Sequence, residues 1–140
     1  MSDSRLALQK AVYARLTGSA PLMTKVGSRI YDFVPQAGED GGPYPYIQVP
    51  EMSATPFDTK TFNGFEVRFT VNVWSRPADV GRAETHDLLN DIYDLLHKWE
   101  PTISGWKVVL FKFEFSDIIV DPDTVTYHGI QRFRVLMAAD

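Results

Sequence analysis

Residues 64–76 have the sequence GFEVRFTVNVWSR, which is the strongest structural signal in the chain. Apolar and polar residues alternate here without interruption from Phe65 to Val73. A period of two predicts a β-strand with one buried face and one face that meets water or a partner. Such a strand requires neighbouring strands, and the rest of the chain supplies them.

Two later segments show the same alternation. In the first, the side chains that we expect to face the core are Val109, Phe111, Phe113 and Phe115, opposite Lys112 and Glu114. In the second, they are Phe133, Val135 and Met137, opposite Arg132 and Arg134. Residues 121–123 (Asp-Pro-Asp) and Gly129 predict the connection between these strands, with His128 at the turn. Shorter extended segments are expected at residues 29–34 and 46–52.

Three segments carry helix signals. The first runs from about Ser4 to Leu16 with apolar residues every four positions, and the second runs from the N-cap Ser19 to residue 25. The third is predicted from about Gly81 to Lys98, because its large apolar residues share one helical face. The chain is therefore expected to be a single α+β domain over residues 1–140, an antiparallel β-sheet with helices packed on one face.

Composition narrows the class of protein. The 140 residues include no cysteine, which excludes disulfides and thiolate metal sites, and no apolar run is long enough to span a membrane. The net charge of −4 and the absence of a dense basic patch argue against sequence-specific binding of duplex DNA. Together with the start of the chain, which lacks a signal peptide, these features predict a soluble, unsecreted protein.

Charge is unevenly distributed along the chain. Residues 1–34 carry five cationic side chains against two carboxylates, whereas residues 79–100 carry six carboxylates against two cations. The acidic segment includes a stripe on the third helix, formed by Glu84, Asp87, Asp91 and Asp94. Independent solvation of both segments and a head-to-tail contact between copies are each compatible with this pattern. The stripe is thus a candidate lateral interface, and Arg68, Arg132 and Arg134 are candidate interface or lumen charges.

The sequence contains no arrangement typical of catalysis or cofactor binding. His86, His97 and His128 lack the spacing of a zinc site, and no serine elbow or phosphate-binding glycine loop is present. We therefore predict no catalytic residues, no metal and no cofactor. A small α+β enzyme or ligand-binding domain remains an alternative, and it would require a deep pocket that gathers His86 or His128 with carboxylates.

Residues 53–63 are predicted to be a polar excursion between two strands. Its candidate contact residues are Thr55, Phe57, Asp58, Thr59, Lys60 and Phe62. The aromatic rings of Phe57 and Phe62 either pack beneath the loop or serve as exposed anchors for a partner. Trp74 raises the same question, because its position in the alternation places it on the polar face of its strand.

Several segments together resemble the tail completion, or tail terminator, family of tailed bacteriophages and gene transfer agents. They are ALQKAVYARL, RIYDFVP, PYPYI, FDTKTFNGFEVRFTVNVWSR, DLLNDIYDLLHKW and DPDTVTYHGIQRFRV, which cover nearly the whole chain in order. The resemblance implies a structural virion protein that forms a ring, commonly hexameric, at the head-proximal end of the tail tube. Such a ring stops tube polymerisation and mediates head-tail joining.

The resemblance also implies partners and location. The partners would be other copies of the chain, the tail tube protein and head-tail connector or adaptor proteins, with DNA passing through the lumen without sequence-specific binding and no membrane involved. The protein would be assembled in the bacterial cytoplasm into a phage or gene-transfer-agent particle. Another ring component of the same particle, a head-tail adaptor or a tube protein, is the alternative.

Overall fold

The computed structural model describes residues 4–27, 29–31, 44–49, 52–56, 63–77, 81–123 and 125–139. Within these ranges, three helices and six strands follow one another. They are α1 (Ser4–Thr17), α2 (Ala20–Val26), β1 (Ile30–Tyr31), β2 (Tyr46–Gln48), β3 (Ser53–Pro56), β4 (Gly64–Ser75), α3 (Ala83–Leu96), β5 (Trp106–Val120) and β6 (Tyr127–Ala139). Over these ranges, no helix has the length and apolar character that crossing a membrane requires.

The strands form one sheet in the order β1-β2-β4-β6-β5, with β3 also paired to β4. All pairs are antiparallel except β1 with β2, which run parallel. This confirms the predicted α+β class, with one parallel pair that the sequence did not predict. The strand over residues 64–76 is central, because β4 pairs with β2, β3 and β6.

The core lies between the inner face of the sheet and the helices. Phe133 is fully buried there, with its ring centroid 5.5 Å from that of Phe69 and 5.9 Å from that of Phe111. The helices contribute buried residues at helical spacing, namely Leu8, Val12 and Leu16 from α1 and Leu88, Ile92 and Leu96 from α3. The predicted inward rows of β4 and β6 are confirmed, since burial alternates along both strands.

The predicted inward row of β5 is wrong for two of its four residues. Val109 and Phe115 are exposed by 58% and 44%, whereas Phe111 is buried. The pairing of β5 with β6 shifts register between Val108 and Leu110 and again between Phe113 and Phe115. Each shift is a β-bulge, and an extra residue reverses the face on which the following side chains lie.

The predicted polar excursion at residues 53–63 is also wrong over its first four residues. Ser53–Pro56 form β3, in which Thr55 pairs with Glu66 and Pro56 with Phe65. Alternation did not reveal this strand, because its side chains are mostly exposed and its partner β4 lies in a later segment. Tertiary pairing here overrides a weak local signal.

Gly129 does not belong to the turn before β6 but lies inside that strand, opposite Val73. A Cβ atom at this position would lie 2.8 Å from Thr85 Cγ2 and 3.2 Å from a methyl of Leu89. Glycine is therefore required by the close approach of α3 to the sheet. The prediction that placed His128 at a turn is corrected for the same reason, since β6 already begins at residue 127.

Candidate interaction surfaces

The outer face of the sheet, away from the helices, carries ion pairs between neighbouring strands. Glu66 pairs with Arg68 of its own strand and with Arg134 of β6, whose Nη2 lies 2.9 Å from Glu66 Oε2. Arg68 Nε also donates to Glu114 Oε1 of β5 at 3.2 Å. Two of the three arginines that the sequence singled out are thus neutralised by two carboxylates, Glu66 of β4 and Glu114 of β5.

Arg132 differs from the other two arginines. Its guanidinium lies 5.3 Å from the ring centroid of Phe115, an arrangement in which the cation faces the aromatic quadrupole. Among the residues that the structure describes, no carboxylate lies within ion-pair distance of Arg132. Its charge remains available at the surface next to β5.

The acidic stripe is partly engaged within the chain. Lys25 Nζ of α2 lies 2.5 Å from Asp91 Oδ2 and 2.9 Å from Asp87 Oδ2. These hydrogen bonds, first that to Asp91, raise the pKa of the Lys25 ammonium above its ordinary value. The resulting stabilisation is present at neutral pH and is lost only when the pH rises through that raised pKa. Glu84 accepts a hydrogen bond from Ser75 Oγ at 2.5 Å, and Asp94 is exposed.

An aromatic row crosses the outer face near the end of β4. The Trp74 ring stacks on His128 with centroids 3.8 Å apart and also on Tyr46, whose centroid is 6.3 Å away. His128 Nε2 lies 2.8 Å from Asn72 Oδ1, and burial lowers the pKa of His128, which keeps the imidazole neutral. Burial also raises the pKa of Tyr46 to about 12. The alternation in β4 placed Trp74 on the polar face of the strand. The rings that stack on it belong to other strands, so its aromatic partners could not be predicted from the neighbouring residues.

The turn between β5 and β6 is held by Asp123. Its carboxylate accepts from Thr126 Oγ1 at 2.6 Å and from the backbone N–H groups of Val125 and Thr126 at 2.9 Å. Arg76 Nη2 lies 3.2 Å from the same carboxylate. Above all the Thr126 hydroxyl, and then the backbone donors, lower the pKa of Asp123 to about 2, so the turn keeps its charge far into acid.

A groove with largely apolar walls lies between α1 and the end of β2. Its volume is about 340 Å³, and it is lined by Leu6, Gln9, Lys10 and Tyr13 of α1 together with Val49, which follows β2. Gln9 Nε2 donates to the carbonyl oxygen of Val49 at 3.4 Å and ties the helix to the end of the strand. This groove was not predictable from the sequence, because the exposed residues of α1 form no recognisable pattern of their own.

The remaining predicted contact residues lie mostly outside the described part of the chain. Thr55 lies in β3, whereas Phe57, Asp58, Thr59, Lys60 and Phe62 are not among the described residues. Within the described ranges, no group of three or more histidine, aspartate or glutamate side chains is placed to hold a metal ion.

Comparison with known proteins gives the family. The family model for tail completion protein gp17 matches residues 10–138. Tail completion protein gp17 of Bacillus phage SPP1 is 32% identical over 128 residues, which cover 91% of this chain and 90% of that protein. A chain from the virion of a native gene transfer agent particle shares the fold, with a TM-score of 0.84 and 24% identity over 99% of this chain and 100% of that one. The chain accordingly belongs to the tail completion protein gp17 family, a family of structural rather than enzymatic proteins.

Proposed function

We propose that the protein forms a hexameric ring at the head-proximal end of the tail tube, where it stops tube polymerisation and joins the tail to the head. The observation that carries this proposal is the family match, which runs through almost the entire chain rather than through one motif. Its partners are further copies of itself, the tail tube protein and the connector or adaptor proteins of the head. Its location is the assembled particle, built in the bacterial cytoplasm.

The fold supports a ring subunit. Subunits of a ring meet through two different surfaces, because each copy contacts its neighbours head to tail. This sheet has two unlike edges, the long strand β5 at one and the short strand β1 at the other. Copies placed side by side would leave the two ends of the ring for the tube and the head.

A tube polymerisation assay tests the proposal. Tail tube protein of the same particle is polymerised with and without this protein, and tube lengths are measured by electron microscopy. We expect tubes that stop growing, with a ring visible at one end. Tubes that elongate as before would reject the terminator function, and binding to head connectors without binding to tubes would identify a head-tail adaptor instead.

The ion-paired part of the outer face of the sheet is proposed to line the lumen. Arginines there are paired with Glu66 and Glu114, so DNA passing through would meet a nearly neutral surface. Replacing both acids with glutamine is expected to release Arg68 and Arg134 and to raise non-specific affinity for duplex DNA. The slope of log K against log salt should become steeper by about 2, since roughly two phosphates gain cationic partners. Fluorescence anisotropy over a salt series measures this slope.

A matched control separates this local effect from net charge. The double variant Asp94→Asn with Glu100→Gln removes the same two negative charges from exposed positions at and beyond the end of α3. It should leave DNA affinity close to that of the wild type. An equal gain in both double variants would mean that overall charge, and not the sheet face, governs DNA binding.

The acidic stripe is proposed to contribute to contacts between copies. Reversing Asp87 and Asp91 together to lysine is expected to weaken ring formation while the monomer stays folded. The Lys25 contact is partly exposed, and its loss should cost no more than about 1 kcal/mol of stability. Light scattering after size exclusion measures assembly, and thermal unfolding measures stability.

Two further variants show whether that effect arises between copies or within one chain. Lys25→Glu breaks the same internal contact but keeps the stripe acidic, so it should assemble normally. Adding Lys25→Glu to the double reversal restores attraction between α2 and α3 with opposite signs, yet assembly should stay impaired. If the triple variant assembles like the wild type, the stripe acts only inside the chain.

A further inference from the structure

The distal half of β5 lacks the cover that the rest of the sheet has. Residues 114–117 are all exposed, and the contacts of the first two, Glu114 with Arg68 and Phe115 with Arg132, are with other surface side chains. Phe115 and Ile119 are exposed by 44% and 47%, although both are large and apolar. Because β5 is also the last strand of the sheet, its outer edge has no partner among the described strands. Phe115 and Ile119 thus form an exposed apolar pair beside an unpaired strand edge, a place where another chain can associate.

The exposed face of α1 also carries large apolar side chains, here on a helix and not on a strand. Leu6 and Tyr13 are exposed by 51% and 44% and lie seven residues apart, with Lys10 between them. A helix places positions i, i+4 and i+7 on one face, so these three side chains form a stripe along the groove that contains Val49. Isolated exposed apolar residues need no explanation, but a stripe beside an apolar groove is a docking surface.

The two surfaces match in order and length. Phe115, Asp117 and Ile119 point to the outer face, since their partners in β6 are Arg132, Ile130 and His128. Along the strand, the side chains are therefore apolar (Phe115), acidic (Asp117) and apolar (Ile119) in order, over a length of about 13 Å. Along α1, the exposed side chains are apolar (Leu6), basic (Lys10) and apolar (Tyr13) in order, over a length of about 10 Å.

The charges of the two surfaces are opposite. Helix α1 contains three cationic residues and no carboxylate. Residues 114–123 contain four carboxylates, of which Glu114 and Asp123 are paired with Arg68 and Arg76, and Arg132 of β6 lies against the Phe115 ring. Within the described part of the chain, Lys10 has no carboxylate partner, and neither Asp117 nor Asp121 has a cationic one. A contact that joins these groups would pair charges left unpaired in the single chain.

We infer that the distal half of β5 in one copy docks onto the exposed face of α1 in the next copy, with Asp117 facing Lys10 and with Phe115 and Ile119 against Leu6 and Tyr13. The edge strand β5 is separated by β6 and β4 from β2, after which Val49 of the groove follows, so the contact is made between copies. The contact is head to tail and repeats from copy to copy, closing when the rotation per copy allows it. This inference rests on the ring of the proposed function and names its lateral contact, which is separate from the acidic stripe.

Two single variants and their mixture test the inference. Leu6→Asp blocks the helix surface and Ile119→Asp blocks the strand surface, and both positions are exposed, so the monomers should fold. Each variant alone should lose the ring and run as a monomer in size exclusion with light scattering. An equimolar mixture should give a dimer and nothing larger, because each variant keeps one intact surface. A mixture that stays monomeric, or single variants that assemble like the wild type, would overturn the inference.

Val109→Asp is the matched control, because Val109 is exposed by 58% in the same strand but lies outside the proposed contact. It should assemble like the wild type, and a loss equal to that of Ile119→Asp would overturn the assignment to distal β5. The absence of cysteine permits a second measurement. Tyr13→Cys combined with Ile119→Cys should form a disulfide-linked ladder, whereas either cysteine alone should give at most dimers.

The tube polymerisation assay distinguishes a failure of this inference from a failure of the proposed function. Variants that assemble like the wild type and still cap tubes would reject the contact and leave the terminator function in place. Wild-type protein that stays monomeric at the highest accessible concentration and yet caps tubes would also reject the contact as a self-sufficient interface. Wild-type protein that assembles but does not cap tubes would reject the function and leave the contact.

Discussion

Replacing Phe133 with alanine is expected to lower the free energy of unfolding by about 3–5 kcal/mol. The side chain is fully buried at the centre of the sheet, and its ring contacts those of Phe69, Phe111 and Phe113, with centroids 5.5–6.1 Å away. Truncation removes apolar area from the core and leaves a cavity that three neighbouring rings cannot fill without moving. Urea denaturation followed by tryptophan fluorescence measures the loss.

Phe115→Ala is the matched control, since it removes the same ring from the neighbouring strand. Phe115 lies on the outer face and contacts Arg132, so its truncation should cost about 1 kcal/mol or less. Equal losses for the two variants would mean that Phe115 faces the core. The bulge between Phe113 and Phe115 would then be contradicted, and the uninterrupted alternation predicted from the sequence would be right.

Phe133 and Phe115 also show where prediction from the sequence succeeds and where it fails. The alternation through β4 and β6 predicted their buried faces, because both strands pair in continuous register with each other. In β5, Val109 and Phe115 looked identical to core residues, since a bulge is defined by the partner strand and not by the strand's own residues. Strand β3 was not predicted for a related reason, because exposed strands show little alternation of apolar and polar residues.

The candidate interaction surfaces likewise include features that the sequence could predict and features that it could not. Charge counting found the acidic stripe and the arginines of the sheet, because both are local features of the sequence. The partners of these charges were not predictable, since Lys25 is 66 residues from Asp91 and Glu66 is 68 residues from Arg134. The stripe on α1 and the distal half of β5 could be recognised only from the fold, because it shows that the stripe lies beside a groove and that β5 is an edge strand.

The segment between β3 and β4 gives the largest expected effect on function. Its two ends are fixed, because Pro56 pairs with Phe65 and the carbonyl of Asn63 accepts the N–H of Ala139 at 2.8 Å. Replacing both Phe57 and Phe62 with serine is expected to leave thermal stability unchanged and to weaken tube capping by at least ~30-fold. This is the loss typical when aromatic anchors of about 2 kcal/mol or more are removed from an interface. The midpoint of capping in the tube-length assay measures it.

Thr59→Ala in the same segment is the control, because a small polar side chain at an interface contributes little binding energy. It should cap tubes at nearly wild-type concentration. A double serine variant that caps normally would show the segment to be dispensable for the tube. A double variant that instead unfolds at lower temperature would show that the two rings pack within the chain, the other possibility that the sequence allows. Loss of capping with an unchanged melting temperature therefore identifies these aromatic residues as the tube contact.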